Sequence, residues 1–262
     1  MTSAARMAVF TMALAGLVVA LLWAFGALAP VGDVAGAYGQ LLNRVATNER
    51  NATDVVTAVN FDYRGFDTLG EEFILFASVA GVAMILRPSR RQRFTREQRD
   101  AVEHLPGRAR YPTSNAVRLM ALAMIGLDVV FGIDIVVHGQ LTPGGGFQGG
   151  VILASAPLLA YLGGDVPTLR RIAPRPLVAM AEGIGAACFV VIGLVGLLAG
   201  AAFLENVVPL GPRPPGVLSS GTIALVSLAT GLEVSAGFVL LLLTFVEESL
   251  QRTSKGEAGG SP

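Results

Sequence analysis

Among the ionisable side chains within or beside the long apolar runs of this 262-residue chain, seven have types and spacing that define the chemistry open to it. A charge inside a bilayer costs roughly 2.5–3.5 kcal/mol or more unless it is paired or hydrated, so each is a functional candidate by default. Asp67 and Glu71 are four residues apart, hence on one face of a helix. Two carboxylates so placed repel, an arrangement in which one of them comes to accept a proton. A plainer use fits the same pair: Asp67 caps the helix start, and Glu71 faces water or pairs with Arg64. Asp134 and His138 are also four apart. Such a pair either relays a proton near neutral pH or forms a fixed hydrogen bond. Asp128 and Glu233 fall near the middle of their runs, where a lone ionised carboxylate is least tolerable. They are expected to face protein or water, protonated or sharing a site. Glu182 lies within reach of Arg175 or Arg171, so a salt bridge is its simplest fate.

Between two of the apolar runs stands His138-Gly139-Gln140-Leu141-Thr142-Pro143-Gly144-Gly145-Gly146-Phe147-Gln148-Gly149-Gly150. Pro143 stops a helix, and Gly144, Gly145, Gly146, Gly149 and Gly150 free the backbone after it. Irregular backbone at bilayer depth is tolerated only where protein or water covers it, so tight packing is expected of this hairpin. A flexible outer turn is the plainer reading. Gly146 and Gly150 also have the four-residue spacing that lets membrane helices approach closely.

Elements that could position these groups follow from hydropathy. With 53% hydrophobic and 15% charged residues and a mean hydropathy of +0.62, the chain is no water-soluble globule. A spanning helix needs about 20 mostly apolar residues. Met7 to Gly32 carries no charge, and Phe73 to Leu86 reaches spanning length if Thr68 to Glu72 is counted. Leu119 to Val137 is broken only by Asp128 and Asp134, and Phe147 to Gly164 by nothing. Pro176 to Leu204 holds only Glu182, and Gly221 to Val246 only Glu233. The expected fold is all-α and polytopic, with about six transmembrane helices arranged as two plus four. Ala27-Leu28-Ala29 mimics a signal-peptide cleavage site, but the apolar core before it is long and Pro30 follows, so a retained helix is expected.

A formal net charge of zero gives no bias toward nucleic acid. Arginines crowd residues 87–110 and recur at Arg170, Arg171 and Arg175, whereas the connection holding the glycine hairpin has none. By the positive-inside rule both termini are cytoplasmic in a plasma membrane, with 15 of the 19 basic residues on that side. Residues 87–114, with Pro88, Pro106 and Pro112, read as a basic cytoplasmic linker, open to contact with anionic lipid or a neighbouring subunit. The linker separates a two-helix module, 1–86, from a four-helix domain, 115–250, and 251–262 read as a disordered cytoplasmic tail. Within the first module, Asn51 to Arg64 is amphipathic and expected to lie at the membrane interface. Cys188 is alone, which excludes a disulfide framework or a cysteine metal site. No metal cluster, nucleophile triad or phosphate loop is present, so no catalytic residue, metal or cofactor is expected and the chain does not read as an enzyme. Lys255 is the only lysine, and no inverted repeat is visible, which disfavours a self-contained transporter.

The glycine hairpin, with Gly200-Ala201-Ala202-Phe203-Leu204-Glu205-Asn206 and Gly231-Leu232-Glu233-Val234, resembles the MnhB family, the B subunits of Mrp-type multisubunit Na+/H+ antiporters. Asp62-Tyr63-Arg64-Gly65-Phe66-Asp67-Thr68-Leu69-Gly70-Glu71 is similar to a motif in the C-terminal part of the Mrp A subunit and in a small subunit of membrane-bound hydrogenases. Gln140 stands where many relatives carry a second histidine, which removes a titratable group from that position. Glu233 stands where some relatives have lysine. The resemblance implies a membrane subunit that supports assembly and the coupling of Na+ and H+ movements beside larger antiporter-like subunits. Two alternatives stay open: a subunit of a redox-driven, hydrogenase-type ion-pumping complex, and a purely structural scaffold.

Overall fold

The computed structural model describes residues 3–28, 36–86, 114–164 and 166–258. The chain divides into two units, Met1–Leu41 and Leu42–Pro262. The first contains α1, Ser3–Gly26, free of proline and apolar enough to span a bilayer. The second opens within α2, Ala37–Arg50, and continues through the short α3, Val55–Ala58, and a π-helical turn, Val59–Tyr63. Then come α4, Gly65–Ile85; α5, Asn115–Val137; α6, Gly146–Gly163; α7, Val166–Ile172; α8, Arg175–Leu198; and α9, Thr222–Ala258. Among the described residues six helices, α1, α4, α5, α6, α8 and α9, are long and apolar enough to cross a membrane.

The organising element is α9. In its apolar window 61% of the residues are buried, against 17–39% in the other spans of the second unit, so α4, α5, α6 and α8 pack around it. At one end Phe61, Leu69, Phe189, Leu204, Ile223 and Val226 form a core shared by the π turn, α4, α8, α9 and the loop after α8. The α5–α6 turn lies at this end, hereafter the hairpin end. At the other end Ala154, Leu169, Val239, Leu243 and Val246 bring α6 and α7 against α9.

Several expectations are corrected. The second unit begins at Leu42, and α4 packs with the four-helix part. Residues 87–113 of the basic linker lie outside the described residues, and Ser114 caps α5 by accepting from the Val117 amide at 3.3 Å. Helix α9 runs to Ala258, well into the expected tail. The amphipathic stretch buries its apolar side against protein. Ala58 and Phe61 are buried in the hairpin-end core, because the apolar surface they need is supplied by α8 and α9. Asp54 starts this stretch, its carboxylate accepting from the Val56 amide at 3.1 Å and the Thr57 hydroxyl at 2.7 Å.

Candidate functional site

Three glutamates meet where α4, α8 and α9 pack together. On α4 the buried stripe is Gly65, Thr68, Leu69, Glu72 and Val79, the three- and four-residue spacing of one helix face. This stripe turns Glu72 inward, 1% exposed, while Glu71 is exposed. On α8 the buried stripe is Glu182, Gly185, Phe189, Gly193 and Gly196. A β-carbon at Gly185 would lie 2.6 Å from the Glu233 nitrogen and 2.7 Å from its Cβ, so glycine is what lets α8 approach α9 at that level. Glu233 is 1% and Glu182 7% exposed. The Glu182 carboxyl points into the junction: a β-carbon on Gly237 of α9 would stand 3.4 Å from its Oε1 and 3.4 Å from Val79 of α4.

The Glu72 carboxyl lies against that of Glu233 and beside the Thr230 hydroxyl, with Glu71 as a further negative neighbour, and Glu233 is within electrostatic reach of Glu182. Both oxygens of Glu72, both of Glu233, Oε1 of Glu182 and the Thr230 hydroxyl are buried with no donor or acceptor satisfying them. Two ionised carboxylates offer each other only acceptors, which is why contact between them leaves every oxygen unpaired. Glu72 is seven residues into α4 and Glu233 eleven into α9, about 10 and 16 Å from the hairpin end at 1.5 Å per residue. Glu182 is seven residues, about 10 Å, from the opposite end. The three form a ladder through the bundle.

At the hairpin end a cleft of about 160 Å³ opens between the π turn, α4 and α6. Thr57, Asn60, Thr68, Glu71, Gly144 and Gln148 give it polar walls. Glu71 thus stands at a cleft mouth one residue from Glu72.

The sequence singled out Asp67 and Glu71, but the inward member of this region is Glu72. Its signal was present: Glu72 is in register with Thr68, Leu69 and Val79, the side of the helix that its neighbours bury. Asp67 is not the cap, because Arg64 holds that position, and Asp67 in the first turn pairs with Arg64 on the exposed side. Glu182 does not pair with Arg175, whose guanidinium is taken by Glu247 at 2.5 Å. Asp128 of α5 accepts from Ser155 of α6, which ties those two helices. Asp134 Oδ1 and His138 Nδ1 are 2.9 Å apart, half-exposed, in a pair of their own at the hairpin end. The structure therefore brings Glu182 and Glu233 to the seam, sets Glu71 at the exposed cleft beside it, and leaves Asp67, Asp128, Asp134 and His138 outside it.

The hairpin is closely packed. Gly145 takes φ +127°, open to glycine, and its amide donates to the Ile135 carbonyl at 3.2 Å. A β-carbon on Gly146 would lie 2.7 Å from Thr230 Cβ, and one on Gly149 2.5 Å from Val136 and 2.7 Å from the Gly132 carbonyl. Gln140 is fully buried, its amide donating to the Val217 and Val137 carbonyls, which is a structural use of the position. Ser227 donates to the Val136 carbonyl at 2.7 Å and fixes the end of α5 on α9.

Outside the spans, Asp62 and Arg50 form a 2.6 Å ion pair, and the Asn206 amide donates to Asp62 at 3.2 Å and to the Ser220 carbonyl at 3.0 Å. Burial pushes the Asp62 carboxyl above its ordinary range, and Arg50 and Asn206 pull it back only in part. Arg50→Gln leaves that buried carboxylate without its cation. Breaking a buried pair costs about 3–5 kcal/mol, and the 28% exposure of the Arg50 side chain places this one at the low end. The expected result is a lower melting temperature in detergent, recovered in part by Arg50→Gln combined with Asp62→Asn. An unchanged melting temperature would remove the pair from the fold's supports.

The fold and the seam define a polytopic helical membrane protein with carboxyls buried along its central helix. Residues 116–240 match a family described as a domain related to the MnhB subunit of Na+/H+ antiporter. Over 231 residues it is 29% identical to an uncharacterised protein of Methanocaldococcus jannaschii, covering 82% of this chain and 86% of that one. Over 96 residues it is 36% identical to the B subunit of a Na+/H+ antiporter of Alkalihalophilus pseudofirmus, covering 36% of this chain and 65% of that one. Among solved structures it resembles a chain of the membrane-bound sulfane sulfur reductase, an archaeal respiratory membrane complex. The TM-score is 0.67 at 28% identity, over 92% of this chain and 98% of that one. It also shares its fold with a chain of the Mrp complex from Dietzia sp. DQ12-45-1b, at TM-score 0.61 and 24% identity, over 93% of this chain and 26% of that longer one.

Proposed function

We propose that this chain is a membrane subunit of a multisubunit Na+/H+ antiporter of the Mrp type, and that its glutamate seam is part of the path coupling the two ions. The observation that carries the reading is the set of five carboxylate oxygens on Glu72, Glu182 and Glu233, buried without partners across three membrane helices. Such groups are too costly for a mere scaffold, which could use apolar side chains of the same volume. The Na+/H+ antiporter protein among its relatives supports the same reading. Larger subunits beside it would supply the main transport channels, and this chain a coupling element. A redox-driven complex is the second reading, favoured by the near-complete match to a chain of a respiratory membrane complex.

The test is purification of the tagged chain in mild detergent, with identification of what accompanies it and antiport assays in vesicles. Antiporter-like subunits and Na+-dependent proton movement are expected. Hydrogenase- or reductase-like subunits would move the assignment to the second reading, and recovery as a lone active transporter would sink both. We infer further that both termini face the cytoplasm of a plasma membrane, from the arginine distribution. Cysteines introduced at Thr142 and Pro214 are then labelled from outside and those at Arg93 and Arg171 are not. External labelling at Arg93 overturns the orientation.

A further inference from the structure

We propose that Glu72 and Glu233 form one site for a single proton, held between their two carboxyls, filled from the hairpin-end cleft and emptied toward Glu182. This rests on the antiporter reading above and adds which of the two ions the seam takes.

The choice between proton and sodium follows from the oxygens available. A hard cation is held by several oxygens at once, carboxylates, carbonyls and waters together. Among the described residues no group of three or more His, Cys, Asp or Glu side chains is arranged to hold a metal ion. Around the dyad the neutral oxygen is the hydroxyl of Thr230, fully buried and itself unpartnered. A proton needs no such shell. Placed between the carboxyls it turns one into a donor, satisfies an oxygen on each side and leaves one negative charge where there would be two.

The charged groups facing the dyad are Glu71 on its own helix α4 and Glu182 on α8, both acidic. Five of the arginines near the two ends have partners elsewhere: Arg50 with Asp62, Arg64 with Asp67, Arg175 with Glu247, Arg118 with the Gly163 carbonyl and Arg213 with Asn48. The bound proton therefore removes one of the pair's two negative charges. Entry is short, since Glu71 and Thr68 line the cleft while Glu72 follows them on the buried side. In each step an O–H bond on one carboxyl breaks as one forms on the next, with no change of oxidation state.

The experiment is infrared difference spectroscopy of the purified complex in nanodiscs at mildly alkaline pH. Wild type should show the carbonyl stretch of a protonated carboxylic acid, shifted in D2O and unchanged when Na+ replaces K+. Glu72→Gln and Glu233→Gln should each abolish it, because the glutamine amide supplies the donor and leaves its partner ionised. Thr230→Val, which keeps shape and removes the hydroxyl, should shift the band without removing it, and serves if either glutamine variant fails to assemble. Absence of the band in wild type overturns the proposal, as does its loss in only one glutamine variant, a band unmoved by Thr230→Val, or displacement by Na+. Because the band is read without turnover, these outcomes are independent of whether antiport itself is found.

Discussion

Glu233→Gln is expected to abolish cation/proton antiport in vesicles while the complex is recovered in normal amount. Glutamine keeps the volume and the hydrogen-bonding reach of the side chain, so the tight α8–α9 approach at Gly185 is undisturbed. The change removes the one property that matters on this reading, exchange of a proton. Loss of a positioned proton-transfer group slows a reaction by about 10²–10⁴-fold, and a fall of about 10²-fold or more is the expected size here. Glu72→Gln should match it, because the two carboxyls work as a pair. Glu71→Gln, at the exposed cleft mouth, should slow antiport less than either. His138→Gln, in a half-exposed pair apart from the seam, should leave the rate close to that of wild type. If Glu233→Gln transports at the wild-type rate across pH, the seam is structural and the coupling assignment fails.

Gly146→Val should have the second large effect, on assembly and not on titration. The β-carbon alone would stand 2.7 Å from Thr230 Cβ and 2.8 Å from the Gly231 nitrogen, and closer still to the Ser227 carbonyl oxygen. Two of those three contacts are backbone, so no side chain can swing away. Overpacking a fitted interior costs about 1–3 kcal/mol where neighbours can adjust, and a backbone neighbour places this case at the top of that range or above it. Recovery of the subunit in membranes should fall sharply. Gly183→Val in the same bundle, where an added β-carbon meets nothing within 4 Å, should be tolerated, which separates close packing from a general dislike of valine. Equal recovery of the two variants would mean that the hairpin does not depend on this contact.

Six spans, the uneven arginines and the hairpin were legible in the sequence because each is a one-dimensional property. Hydropathy over about 20 residues marks a span without reference to any neighbour. A run such as Pro143-Gly144-Gly145-Gly146 stops one helix and starts another wherever it stands. Glu182 and Glu233 could be named for the same reason, a charge in an apolar run being conspicuous by itself. Their partners could not. Glu71 and Glu72 are adjacent acids, and which of them turns inward is decided by the rotation of α4 against α9, set by Thr68, Leu69 and Val79 packing inward together. Arg175 stood close enough in sequence to promise Glu182 a salt bridge, yet the fold gives it to Glu247, which is 72 residues away on α9. Asp62 and Asn206 are 144 residues apart and bond all the same. The sequence by itself determined what the helices are and which charges they carry into the membrane. Only the tertiary structure decided which charges face one another, because that depends on helix rotation and close approach at glycines such as Gly185, and neither is a property of any single segment.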